Sequence, residues 1–355
     1  MAEKFDHWSV SHMRHAKHLR TLPLILFCAS IALSSAHAQS GWHLEKTLPI
    51  GGPGGMDYLT VNPATHLLYV PRTTHTMVID AVSGKTVGDI PGQKNAHGVA
   101  IVPRLNRGFI TDGGGAGAIT VFDLKTNTAL GVIAAQPDAD GIIYDPGTDR
   151  ILVSAGDSNS LITFKPDIDP KSGKIEAPIQ LGGAPEFLAA DGAGKVYVNL
   201  EDKDTVAVVD VAARKVVARW PVAPGGSPVG LAIDKKNRTL IVGCRKPAKM
   251  IVMSTENGKV LSDLPIGTGV DATKVAGKEA FASCGDGTLA VVSLSSSGKY
   301  EVQSVKTAPW AKTMDIDSAT GKIYLPTFDF EDPKPGATGR PKPKPDTFKI
   351  LVVSR

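Results

Sequence analysis

After residue 50 the chain repeats one pattern seven times, and no other feature constrains its fold as tightly. The copies open with MDYLTVNP (56–63), AHGVAIVP (96–103), ADGIIYDP (139–146), PEFLAADG (185–192), PVGLAIDK (228–235), VDATKVAG (270–277) and AKTMDIDS (311–318). Each opening runs into a tight polar turn and a second apolar strand such as HLLYV (66–70) or KVYV (195–198). A third strand follows, such as TMVIDA (76–81), AITVFDL (118–124) or TVAVVDV (205–211), then an SGK-type turn and a fourth strand. The period is about 40–48 residues, in the range of propeller blades. A lone four-stranded sheet cannot cover both of its faces, whereas sheets arranged radially cover one another. The last copy stops at FKILVVSR (348–355) with three strands, and HLEKTLPI (43–50) precedes the first opening as a spare strand. The expectation is an all-β, seven-bladed β-propeller with four-stranded blades. Its ring is closed by an N-terminal strand that completes the last blade and leaves no free edge. No stretch after residue 40 carries a helical period.

Residues 1–38 read as a cleavable signal peptide. Lys4, Arg14, Lys17 and Arg20 precede an apolar run from Leu22 to about Leu33, and Ala36-His37-Ala38 supplies the small-residue cleavage site. Residues 39–355 then form one domain with no further segment long enough to cross a bilayer, expected to be periplasmic or secreted and monomeric. Phe27 before Cys28 argues against a lipid anchor. Without the leader the net charge drops from +4 to about +2, and His43, His66, His75 and His97 are the histidines left. Nucleic-acid binding is not supported, since no basic run with interleaved aromatics remains. CxxCH, GxSxG and Walker A motifs are absent, and GGGAG (113–117) leads into a strand rather than a helix.

In a propeller the turns between first and second strands share a face with those between third and fourth. Here the former are near-uniform: NPATH, PRLNR, DPGTD, DGAGK, DKKNR, DSATGK. On the other face the loops vary: RTTH (72–75), DGGGAGA (112–118), EDKD (201–204), RKPAK (245–249), GDG (285–287) and the Pro/Lys-rich insertion 330–347. Turns that only reverse the chain are interchangeable and loops that bind are not, so the variable face is where a small molecule or protein partner is expected. The run from Arg340 to Pro345 is expected to be stiff and polyproline-like, a solvated insertion or a docking arm offering Lys342 and Lys344 to an acidic partner.

At the second position of the openings stand Asp57, His97, Asp140, Glu186, Val229, Asp271 and Lys312. Six polar residues at one register are expected to converge on the mouth of the central channel, with Trp310 near Lys312. Gly98, Gly141 and Gly230 fit the crowding beside the axis. Three readings stay open: a solvated polar rim with Lys312 paired to Asp271 or Asp57; a metal site for Ca²⁺, Mn²⁺ or Zn²⁺ built from Asp57, His97, Asp140 and Glu186; and a site for a cationic or polyhydroxyl ligand. Cys244 and Cys284 occupy equivalent positions in adjacent copies. An oxidising compartment favours a disulfide between them, whereas the Cα separation of about 4.4–6.8 Å that a disulfide tolerates disfavours it.

LLYVPRTTHTMVIDAVSGKTV (67–87) and KVYVNLEDKDTVAVVDVAARKVV (195–217) resemble the YVTN-repeat, YncE-like family of exported bacterial seven-bladed propellers, and the resemblance extends over nearly all of 39–355. It implies the fold and leaves the activity open, because the matching residues are scaffold. A more distant likeness to lactonase-type propellers implies a central calcium held by acidic and amide side chains. The ring here has His97 and Lys312 and no Asn. The functional expectation is an exported binding protein engaging a ligand or partner at the channel mouth. The alternative is a metal-dependent lactonase- or esterase-like hydrolase with its metal in the channel.

Overall fold

The structure, a computed structural model, describes residues 41–294, 299–332 and 341–355. The leader expected over 1–38 lies outside them. The described chain is all-β, with two single-turn 3₁₀ segments, Pro103–Leu105 and Glu201–Lys203, and no α-helix. Its strands form six antiparallel sheets, five of four strands and one of seven. The seven-stranded sheet divides within the long strand Thr86–Val102. The first half of that strand pairs back onto Thr73–Asp80, and the second half pairs forward onto Arg107–Asp112. His43–Pro49 pairs antiparallel along the C-terminal strand Lys349–Ser354, at the outside of the sheet that contains the last opening.

The strand order follows from the alternation of each copy. Second and third strands such as Lys195–Leu200 and Thr205–Asp210 are buried on both faces and rich in Val, Ile and Leu, whereas fourth strands such as Lys215–Pro221 alternate exposed and half-buried. The apolar residues gather in clusters that span neighbouring sheets. One joins Phe109 and Val121 to Ile151 and Ile162, and another joins Tyr197 and Val206 to Leu240 and Ile251. The first strands touch one another in cyclic order: 60–62, the end of Thr86–Val102, 139–145, 185–190, 228–234, 270–276, 315–316, and back to 60–62.

The uniform turns behave as reversal devices. Asp80 Oδ1 accepts the backbone N–H groups of Val82 and Ser83, and Asp145, Asp234 and Asp317 cap their own turns in the same way. The insertion departs from expectation. Its described arms are tied by backbone hydrogen bonds, Glu331 N to Lys342 O at 2.9 Å and Lys344 N to Asp329 O at 2.8 Å, so the run 341–345 is half of a paired arm rather than a free polyproline rod. Lys342 meets Glu331 of the same arm at 3.6 Å. Residues 333–340 lie outside the described residues. Of the two readings left open for the cysteines, the structure has the unpaired one: Cys244 and Cys284 are free, buried thiols, each packed at the end of its own sheet's second strand.

Candidate functional site

Three local devices aim the ring residues inward. The first is a β-bulge. Pairing between first and second strands slips between Ala96 and Val99, Pro185 and Leu188, Pro228 and Gly230, and Val270 and Ala272, and opposite Asp140 between Val153 and Ala155. Each slip falls on a ring position, and a bulge there re-aims the side chain out of the pleat. The second device is a set of hydrogen bonds that fix ring carbonyls from the preceding copy. Thr111 Oγ1 donates to Asp140 O at 2.6 Å, Asn199 Nδ2 to Val229 O at 2.9 Å, Ser283 Oγ to Lys312 O at 2.5 Å, and Thr313 Oγ1 to Asp57 O at 3.2 Å. The third is space. A Cβ on Gly230 would sit 2.8 Å from Thr273 N of the next copy, and one on Gly98 would sit 3.1 Å from Asp140 O.

The ring residues come together as two groups. In the first, His97 Nδ1 lies 2.7 Å from Asp57 Oδ2 and 3.6 Å from Asp140 Oδ1, and the Asn95 amide lies 2.7 Å from Nε2. Burial pulls the imidazole pKa down. The hydrogen bond to Asp57 and the charges of Asp140, Asp57 and Asp138 outweigh it and raise the pKa to about 9. His97 is therefore an imidazolium at neutral pH, donating to Asp57 while Asn95 can offer its amide oxygen to Nε2. Burial and the neighbouring Asp57 charge push the Asp140 carboxyl well above the usual carboxylate range, with His97 opposing them. Asp140 Oδ1 is buried with no hydrogen-bond partner. The ligand-capable atoms of Asp57, His97 and Asp140 all lie within 4.8 Å of one another.

The second group is closed on itself. Asp271 is 6% exposed and held between Lys312 Nζ at 2.5 Å and the Arg245 guanidinium. Arg245 also reaches Glu201 at 3.2 Å and donates to Val270 O. Glu186 faces Glu201. Burial raises its pKa, as do the charge of Asp140 and the hydrogen bond with Glu201, and Arg245 opposes them. The cluster whose ligand-capable atoms lie within 4.8 Å of one another is Asp57, His97 and Asp140, and Glu186 is not among them. The Trp310 ring lies 6.3 Å from Phe330, in an aromatic chain with Phe328 and Phe348.

Glu201, Arg245, Asn95 and Asp138 belong to the site although they are not at the repeated register. Glu201 and Arg245 open two of the variable loops, and that is the trace they leave in the sequence. Other loop acids are structural: Asp112 accepts from Lys94 N and Asn95 N, Asp202 from Ala184 N, and Asp286 from Thr268 N, each tying a loop to a connection beside it.

Below the ring the channel is plugged. Tyr58 and Phe187, each the residue after a ring position, meet at a centroid distance of 4.8 Å. The other copies place Gly98, Gly141, Gly230, Ala272 and Thr313 at that level, so two rings fill the room that five small residues leave. Tyr58 is buried and its hydroxyl donates to Asp271 O at 3.0 Å.

No family model matches the chain, and no curated protein matches it. Among solved structures it is similar to the WD40 β-propeller domain of Doa1, at 14% identity and a TM-score of 0.66 over 89% of this chain and 98% of that one. It is similar to the WD40 repeats of RRP9, at 11% and 0.71 over 87% and 97%. It is also similar to virginiamycin B lyase from Staphylococcus aureus, at 15% and 0.69 over 89% and 100%. At these identities the likeness is one of fold: the chain is a β-propeller.

Proposed function

We propose that the chain is an exported seven-bladed propeller of the YVTN-repeat kind, clasped by His43–Pro49, that works as a binding protein holding a divalent cation at its channel mouth. The observation that carries this reading is Asp140 Oδ1, a buried acceptor without a partner beside Asp57 and His97 in a cluster 4.8 Å across. An unpaired buried carboxylate oxygen is costly, and a cation removes that cost. Two carboxylates and an imidazole suit Mn²⁺ or Zn²⁺ better than Ca²⁺, which prefers an all-oxygen shell. Asn95 on Nε2 would orient the imidazole for coordination through Nδ1. His97 must lose its proton to bind, so affinity should rise with pH toward about 9.

The test is metal content by plasma mass spectrometry on protein purified without chelators, followed by calorimetric titration with Mn²⁺, Zn²⁺ and Ca²⁺. The reading expects about one ion per chain, lost in Asp140→Ala. Absence of binding at millimolar metal would remove it. A hydrolase of lactones would use the same ion, and turnover of a lactone panel by metal-loaded protein separates the two.

A further inference from the structure

The strongest feature not absorbed by the channel mouth is the other half of the channel. Beneath the Tyr58–Phe187 plug lies a cavity of about 220 Å³. It arises from the fifth position of the openings, where Thr60, Ala100, Ile143, Lys274 and Asp315 line it. Thr60 and Ala100 are small at this level and leave room beside the axis, and the plug separates the space from the charged ring above. An apolar void of about 150 Å³ already accommodates benzene, so this one has room for a ring with a substituent.

The lining states a chemistry. The plug supplies two aromatic faces, and Val99, Ile101 and Ile142 supply aliphatic walls. One charged pair is present: Lys274 Nζ lies 2.9 Å from Asp315 Oδ1 and 5.8 Å from the Phe187 ring. The second Asp315 oxygen accepts Val61 N–H at 2.8 Å. Asp315 is thus fully engaged, and Lys274 is neutralised but keeps ammonium donors beyond its bond to Asp315. An anion entering here would compete with Asp315, whereas an uncharged acceptor oxygen would not. At the rim Tyr144 donates to Asp149 at 3.0 Å and accepts from Arg104 at 3.1 Å, two half-exposed residues of the uniform-turn face. Entry is therefore from the face opposite the metal cluster.

We propose that this half of the channel is a second binding site, for a small uncharged aromatic molecule carrying one hydrogen-bond-accepting oxygen. The ring stacks under Tyr58 and Phe187, and the oxygen takes a proton donor of Lys274. The site is independent of cation binding at the mouth.

The experiment is methyl NMR on isoleucine-labelled full-length protein, titrated separately with phenol and toluene. Both should shift the methyls of Ile101, Ile142 and Ile143, with phenol bound about fivefold more tightly through one net hydrogen bond. The charge-neutral double variant Lys274→Met/Asp315→Asn should equalise the two probes, and Ala100→Leu, which fills the cavity, should abolish both. Metal uptake at the mouth should be unchanged in the double variant. No shift at about 20 mM phenol, near the practical limit of such weak binding, would overturn the site. A phenol preference that survives in the double variant would overturn the role of Lys274, and shifts confined to residues elsewhere would overturn both.

Discussion

Arg72 offers the sharpest test of how the fold positions the Asp57–His97–Asp140 cluster. Its side chain is fully buried, with no carboxylate partner among the described residues. It donates instead to four backbone carbonyls of one loop: Nε to Gly55 O at 2.6 Å, and the terminal nitrogens to Gly51, Gly52 and Gly54 at 3.3, 2.9 and 3.1 Å. The guanidinium stacks 3.7 Å from the Phe348 centroid. Burial pulls its pKa down to about 10, which still leaves it charged at neutral pH. That loop joins His43–Pro49 to the first opening and ends two residues before Asp57. Arg72→Met keeps the aliphatic stem and removes every donor. Hydrogen bonds to a charged donor are worth about 1.5–3 kcal/mol each where buried. The loop carbonyls can recover water in part, so the net loss should be about 3–5 kcal/mol, in the range of a broken buried polar network. For a domain of this size that is a fall of about 6–12 °C in the thermal midpoint. Arg72→Lys should recover less than half, because an ammonium cannot span four carbonyls that a planar fork reaches. The assay is a thermal melt by circular dichroism paired with metal titration at a temperature where both variants are folded. A melt within about 2 °C of wild type, some 1 kcal/mol, would refute the reasoning. So would a large loss of stability with unchanged metal affinity, since the loop would then not position Asp57.

Further outcomes follow from the same geometry. His97 binds its proton more tightly folded than unfolded, so its contribution to the metal-free protein is complete below about pH 6.5 and disappears as pH rises through about 9. Urea midpoints should fall over that window in wild type and fall less steeply in His97→Asn, where the buried Glu186 carboxyl, also raised to about 9, keeps part of the slope; an unchanged slope would mean that His97 does not contribute to it. Arg245→Met leaves Asp271 with Lys312 alone and Glu201 without a cation, and should cost about 2–4 kcal/mol in denaturant melts. Burial pushes the thiols of Cys244 and Cys284 up to about 12. Iodoacetamide at pH 8.5 should therefore leave Cys244 and Cys284 unlabelled in the native protein, and peptide mass spectrometry should find both alkylated in urea. Gly54 has φ +90° and its Cβ would lie 2.2 Å from Arg72 O, so Gly54→Ala should lower the thermal midpoint by several degrees.

The amino-acid sequence alone determined the repeat, its strand pattern and the register at which Asp57, His97, Asp140, Glu186, Asp271 and Lys312 recur. These are local properties: period-two alternation sets which side chains are buried, and Asp- and Gly-bearing turns set where strands end. The crowding at Gly98 and Gly230 was legible for the same reason. Tertiary structure decided which of the aligned residues meet. Glu201 and Arg245 reach the ring from loops with no repeat signature, and they engage Asp271 and Glu186 in a second group. Only Asp57, His97 and Asp140 remain together. Cys244 and Cys284 are equivalent in sequence yet remain unpaired, each in its own sheet. The plug and the cavity beneath it were likewise written in the third and fifth positions of the openings. Their meaning appears only when the copies face one axis, because what a side chain fills depends on what the others leave empty.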